Sequence, residues 1–125
     1  MIQAVYEEKG TTLTLTVTGH AGFAPPGQDL VCAGVSVLVY ALAGTVRQWE
    51  PQLDRPVFIR LEPGNARIRV HAGKKQLLQL KAAFQMAENG MKLLAEAFPE
   101  NVEVGDKIQD TRYSHPGNGC LMITS

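Results

Sequence analysis

Cys32 follows His20 by twelve positions, and the stretch around and between them holds Gly19, Gly22 and Gly27, with Pro25 and Pro26 adjacent. A strand-like run of alternating residues, Thr11 to Thr18, leads into the histidine, and an uncharged run from Leu30 to Val46 carries the cysteine. The pattern puts an imidazole at a strand exit and a thiol in the first turn of a helix. Unpaired N–H groups at a helix start hold partial positive charge. A thiol placed there can ionise well below its free value of about 8.5. A nearby imidazole can take the thiol proton and later return it to a leaving amine. The same N–H groups could hold the oxyanion of a tetrahedral intermediate.

Residue types and spacing leave a plainer reading open: a cysteine in an apolar helix is commonly a small core residue, and a loop histidine is commonly surface. Asp29 divides the same way. As N-cap, its carboxylate would accept the N–H of Val31 or Cys32, worth roughly 1 kcal/mol; as a catalytic partner it would orient His20. A capping carboxylate works against a thiolate, so the expectation is a mostly protonated resting thiol and a pair completed when substrate orders the loop. Ser36 lies one turn after Cys32 on the same helix face, and either bonds a backbone carbonyl or shapes the floor of the site. Phe23 is the one aromatic expected in the loop, where it could meet a substrate. His71 reads as a solvated strand-end histidine, and His115 and Cys120 lack the further ligands a zinc site needs.

The elements that must position these groups follow from periodicity. Ile2 to Tyr6 and Thr11 to Thr18 read as strands joined by a turn at Lys9-Gly10. A helix from Asp29 to about Trp49 should bury Val31, Val35, Leu38, Leu42 and Val46, with Pro51 closing it. Val57 to Leu61 and Arg67 to Val70 form a second hairpin around Pro63-Gly64-Asn65. Lys74 to Phe98 is the clearest helix, with a stripe of Leu77, Leu80, Phe84, Ala87, Met91, Leu94 and Phe98; Asn89-Gly90 in its middle costs about 1 kcal/mol of propensity and could bend it. Val102 to Val104 is a last short strand. The order ββα-ββα-β implies one α+β domain over residues 1–109, two helices packed on one face of a mostly antiparallel sheet, and a loose tail over 110–125.

Composition narrows the class. The 125 residues suit one domain, and 45% hydrophobic with 19% charged residues is a globular balance. Twelve basic residues match twelve acidic ones. That argues against a partner held by overall phosphate attraction, so no nucleic acid is expected, although Arg60, Arg67 and Arg69 could make a local basic patch. Met1 leads straight into a strand with no secretory signal, so a reducing, cytoplasmic setting is expected, with both cysteines as thiols. A Cys32–Cys120 disulfide would close the site. The uncharged run of 17 residues is at the short limit for a membrane span and reads better as a helix buried in the domain or in a subunit interface. No phosphate loop, dinucleotide fingerprint or metal motif occurs, and no cofactor or metal is expected.

The run Gly19-His20-Ala21-Gly22-Phe23-Ala24, followed by Gly27-Gln28-Asp29-Leu30-Val31-Cys32-Ala33-Gly34-Val35-Ser36, resembles the signature of the ribosomal-processing cysteine proteases, the Prp family. Asn89-Gly90-Met91 and Phe98-Pro99-Glu100-Asn101-Val102 extend the resemblance to roughly residues 1–106. It implies a homodimeric peptidase with Cys32 as nucleophile and His20 as general base and acid. Asp29 and Ser36 would support them, and Gly19, Gly22 and Gly27 would give the loop its freedom. It implies a protein substrate, either the N-terminal extension of a bacterial large-subunit ribosomal protein or, for a prophage relative, a capsid or scaffold protein. Leu30 and Gly34 depart mildly from the signature, Pro25-Pro26 stiffens the loop, and the tail has no family counterpart. Two other readings stand beside it: a thioester hydrolase using the same pair, and a non-catalytic dimeric module that binds a ribosomal or capsid component.

Overall fold

The computed structural model describes residues 1–20 and 30–109. Asp29, Gly22, Phe23 and Gly27 therefore lie outside the described residues, as do His115, Cys120 and the rest of 110–125. The elements are β1 (Ile2–Lys9), β2 (Thr12–Thr18), α1 (Leu30–Trp49), β3 (Phe58–Glu62), β4 (Asn65–His71), α2 (Leu77–Ala97) and β5 (Val102–Gln109), with a 3-10 turn over Glu50–Gln52. The expected ββα-ββα-β order holds. The five strands form one sheet in the order β3-β4-β2-β1-β5; every pairing is antiparallel except β1 with β5, which is parallel.

Alternation decides which side of the sheet the helices cover. Ile2, Ala4 and Tyr6 on β1, Leu13, Leu15 and Val17 on β2, Ile68 and Val70 on β4, and Val102 and Val104 on β5 are all buried. Val31, Val35, Val39, Leu42 and Val46 of α1 and Leu80, Phe84, Ala87 and Met91 of α2 join them in one core. The α2 residues recur every three or four positions, so one stripe of the helix meets the sheet. Fully burying Leu80, Phe84 or Met91 stabilises the fold by roughly 1.5–3 kcal/mol each. Tyr6 and Phe84 stack with ring centroids 5.8 Å apart, tying β1 to α2.

Five local expectations change. Val39, not Leu38, takes the central buried place on α1. Leu38 instead reaches sideways to α2, where a Cβ on Gly90 would come within 2.6 Å of its Cδ2. Gly90 is thus a seat for Leu38 within a continuous α2, and Leu94 packs in the same way over Gly34, where a Cβ would come within 3.3 Å of its Cδ1. Phe98 is the C-cap of α2, with φ −133° and ψ 66°, and is 40% exposed because Pro99 forbids the helical conformation before it. β5 runs to Gln109, five residues past the expected end, because it pairs along the whole of β1. His71 is half-buried, its Nδ1 3.0 Å from Thr12 Oγ1, so it belongs to the sheet surface and is not simply solvated.

α1 is long and apolar enough to cross a membrane by length and composition. Its buried stripe lies against the sheet, while Leu30, Val37 and Tyr40 on its other side are 79%, 66% and 60% exposed.

Candidate functional site

His20 and Cys32 open onto one cavity of about 250 Å³ at the end of the sheet where β1 begins. Cys32 is the third residue of α1 and is half-buried. Helical spacing carries its face onward through Val35 and Ser36 to Val39 and Tyr40, which line the same cavity. No acidic side chain occupies the first turn of α1, so nothing among those residues offsets the positive end of the helix beside the thiol. The opposite wall is the β3–β4 turn, with Leu61, Pro63 and Gly64.

Glycines set the imidazole. Gly19, just past β2, has φ +93° and lies so close to Met1 that a Cβ would be driven into the Met1 carbonyl oxygen. Its N–H donates to the Gly64 carbonyl at 3.0 Å, and the Met1 amino group donates to the His20 carbonyl at 2.6 Å. Gly64 has φ +71°, and a Cβ on it would stand 2.5 Å from His20 Nε2. The ring therefore rests on the turn of the second hairpin, a position that any larger residue at 64 would deny it.

The structure thus brings together Cys32, His20, Ser36 and Gly19 of the residues singled out in the sequence. Ser36 is exposed at the cavity wall. Gly64, Val39 and Tyr40 were not singled out. Tyr40 stands two helical turns after Cys32, which the spacing alone could have suggested. Gly64 could not be found that way: only the pairing of Thr18 with Asn65 carries its turn to the histidine. Among the described residues, no three His, Cys, Asp or Glu side chains gather as a metal ion would require.

The groups whose protonation is most displaced sit elsewhere, under α2. Burial raises Glu88 to about 7, helped by its hydrogen bond to Asp106 and the Asp106 charge, with Lys92 opposing. Burial, followed by the hydrogen bond to Glu8, pushes the Tyr6 hydroxyl far above its usual range. The Tyr6 hydroxyl donates to Glu8 at 2.5 Å, Lys81 Nζ lies 3.4 Å from Glu8, and Lys92 Nζ lies 3.8 Å from Asp106 and 3.9 Å from Glu88.

Relatives share this arrangement of elements. The chain is similar to the ribosomal processing cysteine protease Prp of Bacillus subtilis (strain 168), 47% identical over 60 residues that cover 43% of this chain and 53% of that protein. The match thus spans about half the length of the curated relative. Among solved structures, SMU.848 from Streptococcus mutans is 29% identical with a TM-score of 0.64, covering 87% of this chain and 96% of that one. The essential ribosomal processing protease Prp from S. aureus, in complex with a covalently linked product peptide, shares the fold at 20% identity and a TM-score of 0.66, covering 86% of this chain and 100% of that one. The same S. aureus protease with a substrate peptide gives 19% and 0.62, with the same coverage. The family model for cysteine protease Prp matches residues 1–103, a span that takes in the thiol, the imidazole, the hairpin turn beneath it and both helices, and the chain belongs to that family.

Proposed function

We propose that the chain is a cysteine endopeptidase in which Cys32 is the nucleophile and His20 the general base and acid. The observation that carries this reading is the shared cavity: in a chain of the Prp family, a thiol at a helix start and an imidazole seated on a hairpin turn face the same space. His20 takes the Sγ proton and the thiolate attacks the scissile carbonyl carbon. The tetrahedral oxyanion is held by N–H groups of the first turn of α1. His20 then protonates the leaving amine, and the acyl-enzyme is released by a water from which His20 removes the proton. Ser36 shapes the wall, and Asp29 caps α1 or orients His20.

The substrate we favour is the N-terminal extension of a bacterial large-subunit ribosomal protein, because the Bacillus relative is a ribosomal processing protease; a phage capsid or scaffold protein is the second candidate. The enzyme works in the cytoplasm, without a cofactor and as a homodimer. Leu30, Val37 and Tyr40 form an exposed apolar stripe on α1, and a second copy would cover it at the edge of the cavity.

The test is cleavage. Purified protein is incubated with the host's extended ribosomal protein and with its capsid protein, beside Cys32→Ser and His20→Ala, and the products are read by intact mass. One defined cut that disappears in both variants is expected. Absence of any cut, with Cys32 alkylating no faster than Cys120, would overturn the protease in favour of a non-catalytic binding module. Turnover of small thioesters but not of the proteins would turn the reading to a thioester hydrolase.

A further inference from the structure

The side of the sheet away from the helices carries a charge arrangement that the proposed protease chemistry does not use. Strand register sets it out in rows. Arg60 of β3 stands directly opposite Arg67 of β4, which stands opposite Thr16 of β2. In the next row Phe58 faces Arg69, which faces Thr14. The two β4 guanidiniums lie across β2, with Arg67 Nε donating to Thr16 Oγ1 at 3.3 Å and Arg69 Nε to Thr14 Oγ1 at 3.4 Å. Arg60 lies 5.5 Å from the centre of the Phe58 ring, which is 41% exposed.

Two like charges directly opposite on neighbouring strands destabilise a sheet. Little in the fold offsets this pair. Arg60 reaches Glu62 at 3.4 Å, but both side chains are largely exposed, where an ion pair is worth at most about 1 kcal/mol. Among the described residues no carboxylate pairs with Arg67 or Arg69. Of the acidic residues on this face, Glu62 stands on β3 beside Arg60, while Glu7 and Glu103 stand on β1 and β5, across β2 from Arg67 and Arg69. The forks of Arg67 and Arg69 are therefore open to an anion, and an anion there can compete with Glu62 for Arg60.

We propose that this face of the sheet, at Arg60, Arg67 and Arg69, binds single-stranded RNA through its phosphates. Arginine forks hold phosphate oxygens in pairs, as no lysine does. Arg67 and Arg69 lie two residues apart on one strand, roughly 7 Å, a spacing that neighbouring phosphates of an extended strand can match. Phe58 beside Arg60 offers a surface on which a base can stack. An acidic peptide would use the charges but not that ring. The balanced net charge of the chain argues against binding driven by the whole molecule, whereas here three guanidiniums act locally. The inference stands independently of the peptidase reading, since the arginines lie on the side of the sheet opposite the cavity.

The test uses the full chain and a labelled 20-nucleotide single-stranded RNA of mixed sequence, followed by fluorescence anisotropy at several salt concentrations. Three phosphate contacts give a slope of log K against log salt of about −2, and Arg67→Gln with Arg69→Gln should make it shallower by about 1.4. The double glutamine variant should bind at least tenfold more weakly at low salt, while Arg67→Lys with Arg69→Lys keeps part of the affinity. Peptide cleavage should be unchanged in both; the lysine variant should melt like the wild type and the glutamine variant no lower, since it relieves the repulsion between Arg60 and Arg67. Wild-type binding that equals the glutamine variant, or no binding at all, overturns the proposal. Equal or tighter binding of polyglutamate, or of anionic phospholipid vesicles, overturns RNA as the occupant.

Discussion

The two ends of β1 handle reactive side chains in opposite ways. At its start, Ile2 borders an open cavity that holds one thiol and one imidazole, positioned by glycines. At its far end, Tyr6 and Glu8 join Glu88 and Asp106 under α2, where all three carboxylates are at least nine-tenths buried. The second cluster has the displaced protonation that often marks an active site, yet its carboxylates are closed off from solvent and its charges face Lys81 and Lys92 of α2. Perturbed acidity here reports burial within a packed core. The chemistry is proposed where the groups are accessible, and burial is heaviest where they are locked.

That contrast can be broken by crossed substitutions. The largest expected effect is on turnover: Cys32→Ser should abolish cleavage and leave the melting temperature nearly unchanged, whereas Glu88→Gln should leave cleavage intact. If Glu88→Gln removed turnover, the division between the two ends would fail. Next is Gly64→Ala. Its Cβ would stand 2.5 Å from His20 Nε2, and alanine is strained at φ +71°. Displacing the ring by about 1 Å should lower kcat on the order of 100-fold, with a stability loss of about 1–2 kcal/mol from the backbone conformation; kcat measured beside urea unfolding separates the two.

The pH dependence of stability sharpens the comparison. A carboxyl group held at about 7 in the folded chain and near 4.5 unfolded keeps its proton only when folded between those values. Its contribution is therefore fully present below about pH 4.5 and is lost as pH rises through 7. The loss is at most about 3 kcal/mol. Urea unfolding at pH 5 and pH 8 should show a smaller difference in Glu88→Gln than in the wild type, because the amide cannot ionise. An unchanged difference would place the proton elsewhere in the cluster. The smallest effect is at the helix contact. Gly90→Ala gains helix propensity but forces Leu38 aside, for a net destabilisation of about 1 kcal/mol.

Much of the site was legible because it is local. His20, Cys32 and Ser36 fall within seventeen consecutive residues, and the change from strand alternation to a glycine-rich stretch to an apolar helix can be read along the chain. The parts that were not legible depend on pairing between distant segments. Gly64 reads as any hairpin glycine until Thr18 is set against Asn65. The apolar alternation of β5 ends at Val104 because Asp106 takes the next core position, and a buried aspartate looks like a loop residue until Lys92 and Glu88 are beside it. Gly90 looked like a weak point in α2 because its partner, Leu38, lies on the other helix.

The parallel pairing of β1 with β5 also bears on how the chain reaches this state. Ile2 is matched with Val102 and Lys9 with Gln109, so one edge of β1 waits for a strand about a hundred residues later. The hairpins β1–β2 and β3–β4 can form as soon as each is synthesised, but the sheet closes only after α2 has left the ribosome. Contacts of such long sequence separation slow folding. An unpaired strand edge in the meantime is open to other chains. Removing β5 would therefore cost more than its own buried surface: it would leave β1, the strand that runs from the cavity to the carboxylate cluster, permanently exposed along its full length.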